Sequence, residues 1–320
     1  MKLSAAICTF NGEKYIEKQL NSIINQQTLV NEIIICDDGS TDNTIPIILA
    51  IKEHTHNLKI DIYNNEKNLG VRKNFEKAIS LCTGDIIFLA DQDDIWLPHK
   101  TEYIVNYFNN NPQVNLVFSD AILIDENDNI KTKYTLFDAT GINQLKDVWN
   151  AGLQFEIENV EQRLLGSTFG IRREFAISCL PFNTSVTNYH DGQLAMNAVI
   201  HDCIGMLPEQ LIKYRLHSKN TVGLKGNWVF GESSRPNNFS YLIEPHPNKP
   251  FLNITNPSRF KNRVDFYKMR YKNYHSFIGK LFLSLSIYQY IYYYNKYWWY
   301  FYSNDILYGI KSFIKRMIKL

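Results

Sequence analysis

Residues 85–100 read DIIFLADQDDIWLPHK. An apolar run, Ile86 to Ala90, ends in three carboxylates within four positions: Asp91, Asp93 and Asp94. Like charges at that spacing repel, so a folded chain holds them together only at a cost. One reading is a solvated turn with a helix start at Pro98, where proline suits the first helical turn. The other is a cation site. Side chains alternate along an extended chain, so Asp91 and Asp93 emerge on one side of the strand end. Mg2+ and Mn2+ take oxygen ligands, commonly one or two protein carboxylates together with phosphate oxygens. A bound cation removes the repulsion that opposes the cluster. Directly after a buried strand, the cation site is the expectation.

Similar apolar runs occur at 3–9, 33–37, 58–63 and 115–120. Helical spacing fills the gaps between the first four. Tyr15, Ile16, Leu20, Ile23 and Ile24 share one face, as do Val71, Phe75, Ala78, Ile79 and Cys82. Strands alternating with helices predict an α/β fold with a mainly parallel sheet flanked by helices. The runs are continuous rather than alternating, which suits strands covered on both faces. Ligands of such sheets bind beyond the carboxyl ends of the strands. Those ends carry CTFNGE (8–13), CDDGSTDNT (36–44) and ADQDD (90–94). Asp-Gly-Ser is a good turn, and Ser40 or Asp42 is a good helix N-cap. Neither explains the doubled Asp37–Asp38, where a carboxylate can accept the N–H of a nucleobase. No G-x-G-x-x-G follows the first strand and no phosphate-binding P-loop occurs.

AAICTFNGEKYIEKQLNSIINQQ (5–27), EIIICDDGSTDNT (32–44) and GDIIFLADQDDIWLPHK (84–100), in that order and spacing, resemble the nucleotide-binding half of family 2 glycosyltransferases with the GT-A fold. The resemblance is strong over residues 1–125 and weaker beyond. It implies that Thr9, Phe10, Asn11, Glu13, Asp38, Gly39, Arg72, Lys73, Asp91 and Gln92 bind a nucleotide-sugar donor. It implies a Mn2+ or Mg2+ ion at Asp91 and Asp93, with His217 as a further ligand. Many members carry an arginine in the helix after the third strand; here Phe75 stands at that position, in NLGVRKNFEKAI (68–79), with Arg72 or Lys73 as substitutes. In YHDGQLAM (189–196), Asp191 matches the family's catalytic base at a helix start, where the helix N-terminus favours its ionised form. GSTFGIRREF (166–175) and YRLHSKNTVG (214–223) match segments facing the acceptor or the diphosphate, which nominates Gly166, Ser167, Thr168, His190 and Arg215.

The implied activity is an inverting transfer of a sugar to a hydroxyl of a glycan or lipid-linked acceptor in bacterial surface polysaccharide assembly. The donor would be dTDP-rhamnose or a UDP-hexose. Two other classes compete. FLADQDDI (88–95) nearly fits the D-x-D-x-T signature of haloacid-dehalogenase-type phosphotransferases, but Ile95 stands where Thr or Val belongs. A non-catalytic sugar-nucleotide-binding protein would lack the base, yet Asp191 is present.

The bulk properties agree with a globular protein. Of 320 residues, 45% are apolar and 21% charged, and the net charge of +2 gives no reason to expect a nucleic-acid partner. Five cysteines without C-x-x-C spacing read as buried thiols in a reducing compartment. The first fifteen residues read as a strand without a cleavage pattern, so the expected location is the cytoplasm. The expected organisation is a GT-A catalytic domain over 1–224, divided into a nucleotide-sugar half (1–125) and an acceptor half (126–224). A Pro- and Asn-rich loop follows at 225–262, then a helical, aromatic and basic region at 263–320. Between Lys280 and Lys296 lie fifteen uncharged residues, short of the ~20 that span a bilayer. Their tyrosines and the basic KSFIKRMIKL end (311–320) suit attachment to the inner face of the membrane.

Overall fold

A computed structural model describes residues 1–143, 164–182 and 189–217. All of them belong to the unit Met1–Asn237. The Pro- and Asn-rich loop and the helical C-terminal region expected at 225–262 and 263–320 lie outside the described residues.

Four of the apolar runs form neighbouring parallel strands: β1 (Leu3–Thr9), β2 (Glu32–Asp37), β3 (Lys59–Asn64) and β4 (Ile86–Asp91), in the order β3–β2–β1–β4. Their register brings the carboxyl ends level, with Thr9 beside Asp37, Asp37 beside Asn64, and Cys8 beside Asp91. The polar segments after β1, β2 and β4 therefore meet at one edge. Three helices connect the strands: α1 (Ile16–Ile24), α2 (Thr44–His54) and α3 (Val71–Leu81). Ile16, Gln19, Leu20 and Ile23 are the buried face of α1, and Asn74, Phe75, Ala78 and Ile79 that of α3. These are the i, i+3, i+4, i+7 and i, i+1, i+4, i+5 stripes of helices lying on a sheet.

The second half contains β5 (Ile95–Trp96), α4 (Lys100–Asn110), β6 (Leu116–Ile124), β7 (Ile130–Thr135) and α5 (Leu136–Thr140). A 3-10 turn at Gly166–Thr168 leads into β8 (Phe169–Arg172) and α6 (Arg173–Ser178). Then come α7 (His190–Ile200) and β9 (Ile204–Arg215). The sheet continues from β4 as β8–β6–β9–β5, with β7 paired to β6. β8 runs antiparallel to both β4 and β6, and β5 antiparallel to β9, while β6 and β9 are parallel. The expected parallel sheet thus holds through β4 and becomes mixed beyond it. Burial on both faces makes a strand read as a continuous apolar run whichever way it points, so direction is absent from the pattern.

Two local expectations are corrected. Asn43 occupies the N-cap of α2 without a side-chain bond. Ser40 is drawn instead to Asp37, 2.5 Å away, and Asp42 accepts from the Thr44 N–H at 3.0 Å. After β4, α4 begins at Lys100 with His99 as N-cap, two residues past Pro98. Asp94 is buried before it and starts no helix.

At the opposite end of the sheet, Glu32 is fully buried. Its carboxylate accepts from Ser4 Oγ (2.6 Å) and from the Thr83 N–H (2.6 Å) and hydroxyl (2.8 Å). Ser4 Oγ also accepts from the Gly84 N–H at 2.8 Å, and a Cβ on Gly84 would come 2.6 Å from that oxygen. Only glycine fits where the turn before β4 lies against β1.

Candidate active site

A cleft of about 460 Å3 opens at the level strand ends. Thr9 at the end of β1 and Phe10 just after it, Asp38 after β2, and Asp91, Gln92 and Asp93 at the end of β4 line it. Asn68, Gly70, Val71, Asn74 and Phe75 add one wall from the start of α3. Leu165, Gly166, Tyr189, His190, Asp191 and Tyr214 add the other.

The Asp37–Asp38 doublet divides its work. Asp37 accepts from Thr9 Oγ1 (2.7 Å) and the Ser40 N–H (2.8 Å), closing the turn. Asp38 faces the cleft while its carboxylate accepts from the Leu69 and Gly70 N–H groups, at 2.7 and 2.8 Å, and from Asn65 Nδ2 at 2.9 Å. A carboxylate offers about four acceptor positions, so roughly one remains for a ligand. Asn65 also donates to Asn74, which donates to the Cys36 carbonyl, so an amide chain fixes the Asp38 rotamer.

Asn11, Glu13 and Gly39 are not among the cleft residues; the first two splice its rim. Asn11 Oδ1 accepts from the Thr41 N–H, and Glu13 Oε2 accepts from the Asn43 N–H and side chain. These bonds zip the loop after β1 to the loop after β2. Gly39 has φ 86°, the left-handed conformation of the turn. Gln92 pairs with the Phe10 backbone through both amide atoms, at 2.9 and 3.1 Å. Arg72 and Lys73 also fall outside the cleft lining, and Lys73 is paired with Glu76 at 2.6 Å.

Asp191 is buried at the start of α7. It accepts from the Gly192 N–H (2.8 Å) and the Gly166 N–H (3.3 Å). Gly166 is tight against this pair: a Cβ there would lie 2.9 Å from His190 Nε2 and 3.2 Å from Asp191 Cβ. His190 stacks on Phe75, ring centroids 3.9 Å apart and planes 15° apart. Ser167 and Thr168 are buried behind the cleft; the Ser167 carbonyl accepts from Lys100 Nζ at 2.7 Å.

Arg215 is wholly buried and not a cleft residue. Its Nε donates to the Asp93 carbonyl (2.6 Å), and its Nη1 donates to the Asp125 carbonyl (3.0 Å) and pairs with Asp128 (2.5 Å). The guanidinium lies over the Tyr15 ring at 4.5 Å. It braces the acidic loop and does not itself line the cleft. His217 Nε2 lies 2.8 Å from Asp93 Oδ2 and its ring 5.2 Å from that of Tyr15.

The field at the cleft is strongly negative. Burial and then the neighbouring Asp94, Asp93 and Asp191 push the Asp91 carboxyl well above its usual range. Asp94 is pushed up to about 7 by burial and Asp93, against the Arg215 N–H and Lys100. Burial pulls the Lys100 ammonium down to about 7, against the attraction of Asp94 and Asp91. Burial and the same four acids push the Tyr214 phenol up. Burial lowers His190 below its usual value, with Asp191 opposing.

Among the described residues no three His, Cys, Asp or Glu side chains stand together as a ready-made cation site. The expected trio of Asp91, Asp93 and His217 is therefore not assembled as one; Asp93 and His217 are paired with each other. The fit to a divalent cation rests on Asp91 and Asp93, which face the cleft and repel one another. Two carboxylates suffice where phosphate oxygens complete the shell.

Lys100, Tyr214 and the Asn65–Asn68–Asn74 amides escape a reading of the sequence. A lysine at the first position of a helix reads as solvated, yet this one is buried over the Trp96 ring at 4.0 Å. The density of Asn in NNEKNLGVRKN (64–74) is the one available signal for the amides.

The sequence model described as "Glycosyl transferase family 2" matches residues 4–179, and the chain belongs to that family. An uncharacterized glycosyltransferase of Haemophilus influenzae is 29% identical over 222 residues, covering 68% of this chain and 67% of the relative. One of Nostoc sp. is 34% identical over 128 residues, covering 40% of this chain and 39% of the relative. The match thus spans well under half the length of the second. Among solved structures, S. aureus TarS 1–349 in complex with UDP superposes with a TM-score of 0.51 at 17% identity, over 68% of this chain and 61% of that one. The fold is GT-A, as expected. Membership of family 2 removes the haloacid-dehalogenase alternative. No helix among the described residues is long and apolar enough to cross a membrane.

Proposed function

We propose that the protein is an inverting glycosyltransferase using a nucleotide-sugar donor, either dTDP-rhamnose or a UDP-hexose. The observation that carries the reading is the convergence on one cleft of Asp38, the Asp91/Asp93 pair and Asp191. Asp38 receives the base through its remaining acceptor position, and Thr9 and Phe10 flank it. Residues 1–224 are the catalytic unit, with nucleotide and acceptor halves meeting at the cleft.

Asp91 and Asp93 would hold Mn2+ or Mg2+ together with the diphosphate, and the cation would supply charge neutralisation for the departing phosphate. Asp191 takes the proton of the acceptor hydroxyl as its oxygen attacks the anomeric carbon. The bond from that carbon to the diphosphate oxygen breaks on the opposite face, and the anomeric centre inverts. Two backbone N–H groups, of Gly192 and Gly166, hold the Asp191 carboxylate in place for this transfer. The acceptor is a hydroxyl of a glycan or lipid-linked saccharide of bacterial surface polysaccharide. Action at the inner face of the membrane follows from the aromatic and basic composition of 263–320.

The test is a panel of UDP- and dTDP-sugars with Mn2+ and an acceptor mixture, followed by product analysis. Asp191→Asn should lower kcat by about 10²-fold or more, the usual worth of a positioned general base, while donor binding stays near wild type. A variant that transfers at the wild-type rate removes the base assignment.

A further inference from the structure

His190 is a buried polar group without a role in the mechanism above. It is 5% exposed, and its ring forms part of the cleft wall. Neither Nδ1 nor Nε2 has a hydrogen-bond partner among the described residues. An imidazole buried in this way forfeits the hydrogen bonds it would make in water unless a ligand restores them. The ring is also held in place. It lies flat on Phe75 at 3.9 Å, a near-parallel contact that uses its faces and leaves its edge nitrogens free to point elsewhere. Gly166 lies so close to the ring edge that a Cβ there would come 2.9 Å from Nε2, so a larger residue would displace the imidazole. Phe75 belongs to α3, whose first two turns form the same cleft wall as Asp38 and Asn68. The imidazole is therefore braced against the nucleotide side of the cleft.

We infer that His190 is a specificity residue that hydrogen-bonds a hydroxyl of the donor's transferred sugar, with Phe75 as the platform that sets the ring plane. A neutral imidazole offers one donor and one acceptor, the pairing that a sugar hydroxyl reciprocates. Burial favours that neutral form. The inference rests on the nucleotide-sugar reading of the cleft and adds a recognition element for the sugar itself. It predicts that selectivity among donors resides partly on the wall carrying Asp191.

The experiment compares wild type with His190→Phe, which keeps a flat ring on Phe75 and removes both nitrogens, and with His190→Gln, which restores a donor and an acceptor. The probes are UDP and dTDP alone, then UDP-glucose, UDP-galactose, UDP-N-acetylglucosamine and dTDP-rhamnose, titrated calorimetrically in Mn2+. His190→Phe should bind the bare nucleotides with Kd within about twofold of wild type, yet bind the preferred nucleotide sugar roughly tenfold more weakly, the worth of one lost hydrogen bond. Its preference among the four sugars should shrink, and His190→Gln should recover part of it. In turnover, donor KM should rise while acceptor KM stays unchanged. Equal nucleotide-sugar affinity and unchanged selectivity in His190→Phe overturn the inference, as does an effect confined to acceptor KM. His190→Leu gives the same readout if the phenylalanine variant does not fold. A wild-type protein that binds none of the four sugars sinks the proposed function itself, so the two failures are distinguishable.

Discussion

Single residues in this chain gain their meaning from the partners that burial forces on them. Glu32 is the clearest case. Burial raises its carboxyl, but the bonds from Ser4 and Thr83 more than offset this, and it titrates below its usual value. A carboxyl lowered in the folded state stabilises the fold at pH values above its unfolded pKa, and this contribution is lost as pH falls through the folded value. Glu32→Gln should therefore cost about 1–3 kcal/mol at pH 7. The gap between variant and wild type should close as the pH drops below about 4.5. Urea titrations at pH 7 and at pH 4 check this; a gap independent of pH would mean that packing, not the charge, accounts for the loss. The same logic separates Asp37 from Asp38. Adjacent and alike in sequence, one closes a turn on Thr9 and Ser40 and the other faces the cleft, held by the Leu69 and Gly70 N–H groups just before α3.

At the scale of elements, Arg215 at the end of β9 ties three segments together. It bonds the Asp93 carbonyl after β4 and Asp125 and Asp128 between β6 and β7, and it covers Tyr15 at the N-cap of α1. Arg215→Met should destabilise the protein by about 3 kcal/mol, the lower end of what breaking a buried ion pair costs, since Asp128 is partly exposed. Arg215→Lys should recover little, because an ammonium cannot span the planar set of acceptors. Chemical denaturation measures both, and a lysine variant as stable as wild type would show that charge alone suffices. The motif YRLH signals an arginine near the acidic loop. It does not reveal which side of the loop the arginine takes. That depends on β9 pairing with β5 and β6, contacts more than eighty residues away in sequence.

Over the whole molecule, the cleft collects negative charge that its own residues compensate only in part. Lys100 attracts both Asp91 and Asp94, and burial weakens its own charge. If Mn2+ and UDP enter together, they bind the folded state alone and shift unfolding by mass action. At a hundredfold excess over Kd the gain is about 2.7 kcal/mol, or about 5 °C for a protein of this size. Differential scanning fluorimetry should show that rise with both ligands present. EDTA should reverse it, and Asp93→Asn should reduce it to the UDP effect alone. A Tm that Mn2+ leaves untouched in the presence of UDP would count against the metal.

The sequence by itself determined the strands and helices of the nucleotide half, the level at which three polar loops meet, and the acidic pair at Asp91 and Asp93. Those features are local. A continuous apolar run, a 3.6-residue stripe and a turn composition are written in consecutive residues and survive in any fold that buries them. Tertiary structure alone decided the mixed sheet beyond β4, the burial of Lys100 beneath the acids, the bracing role of Arg215 and the stacking of His190 on Phe75. Each of these depends on segments brought together across the sheet. The residues involved carry no local signal of the neighbour that burial will give them.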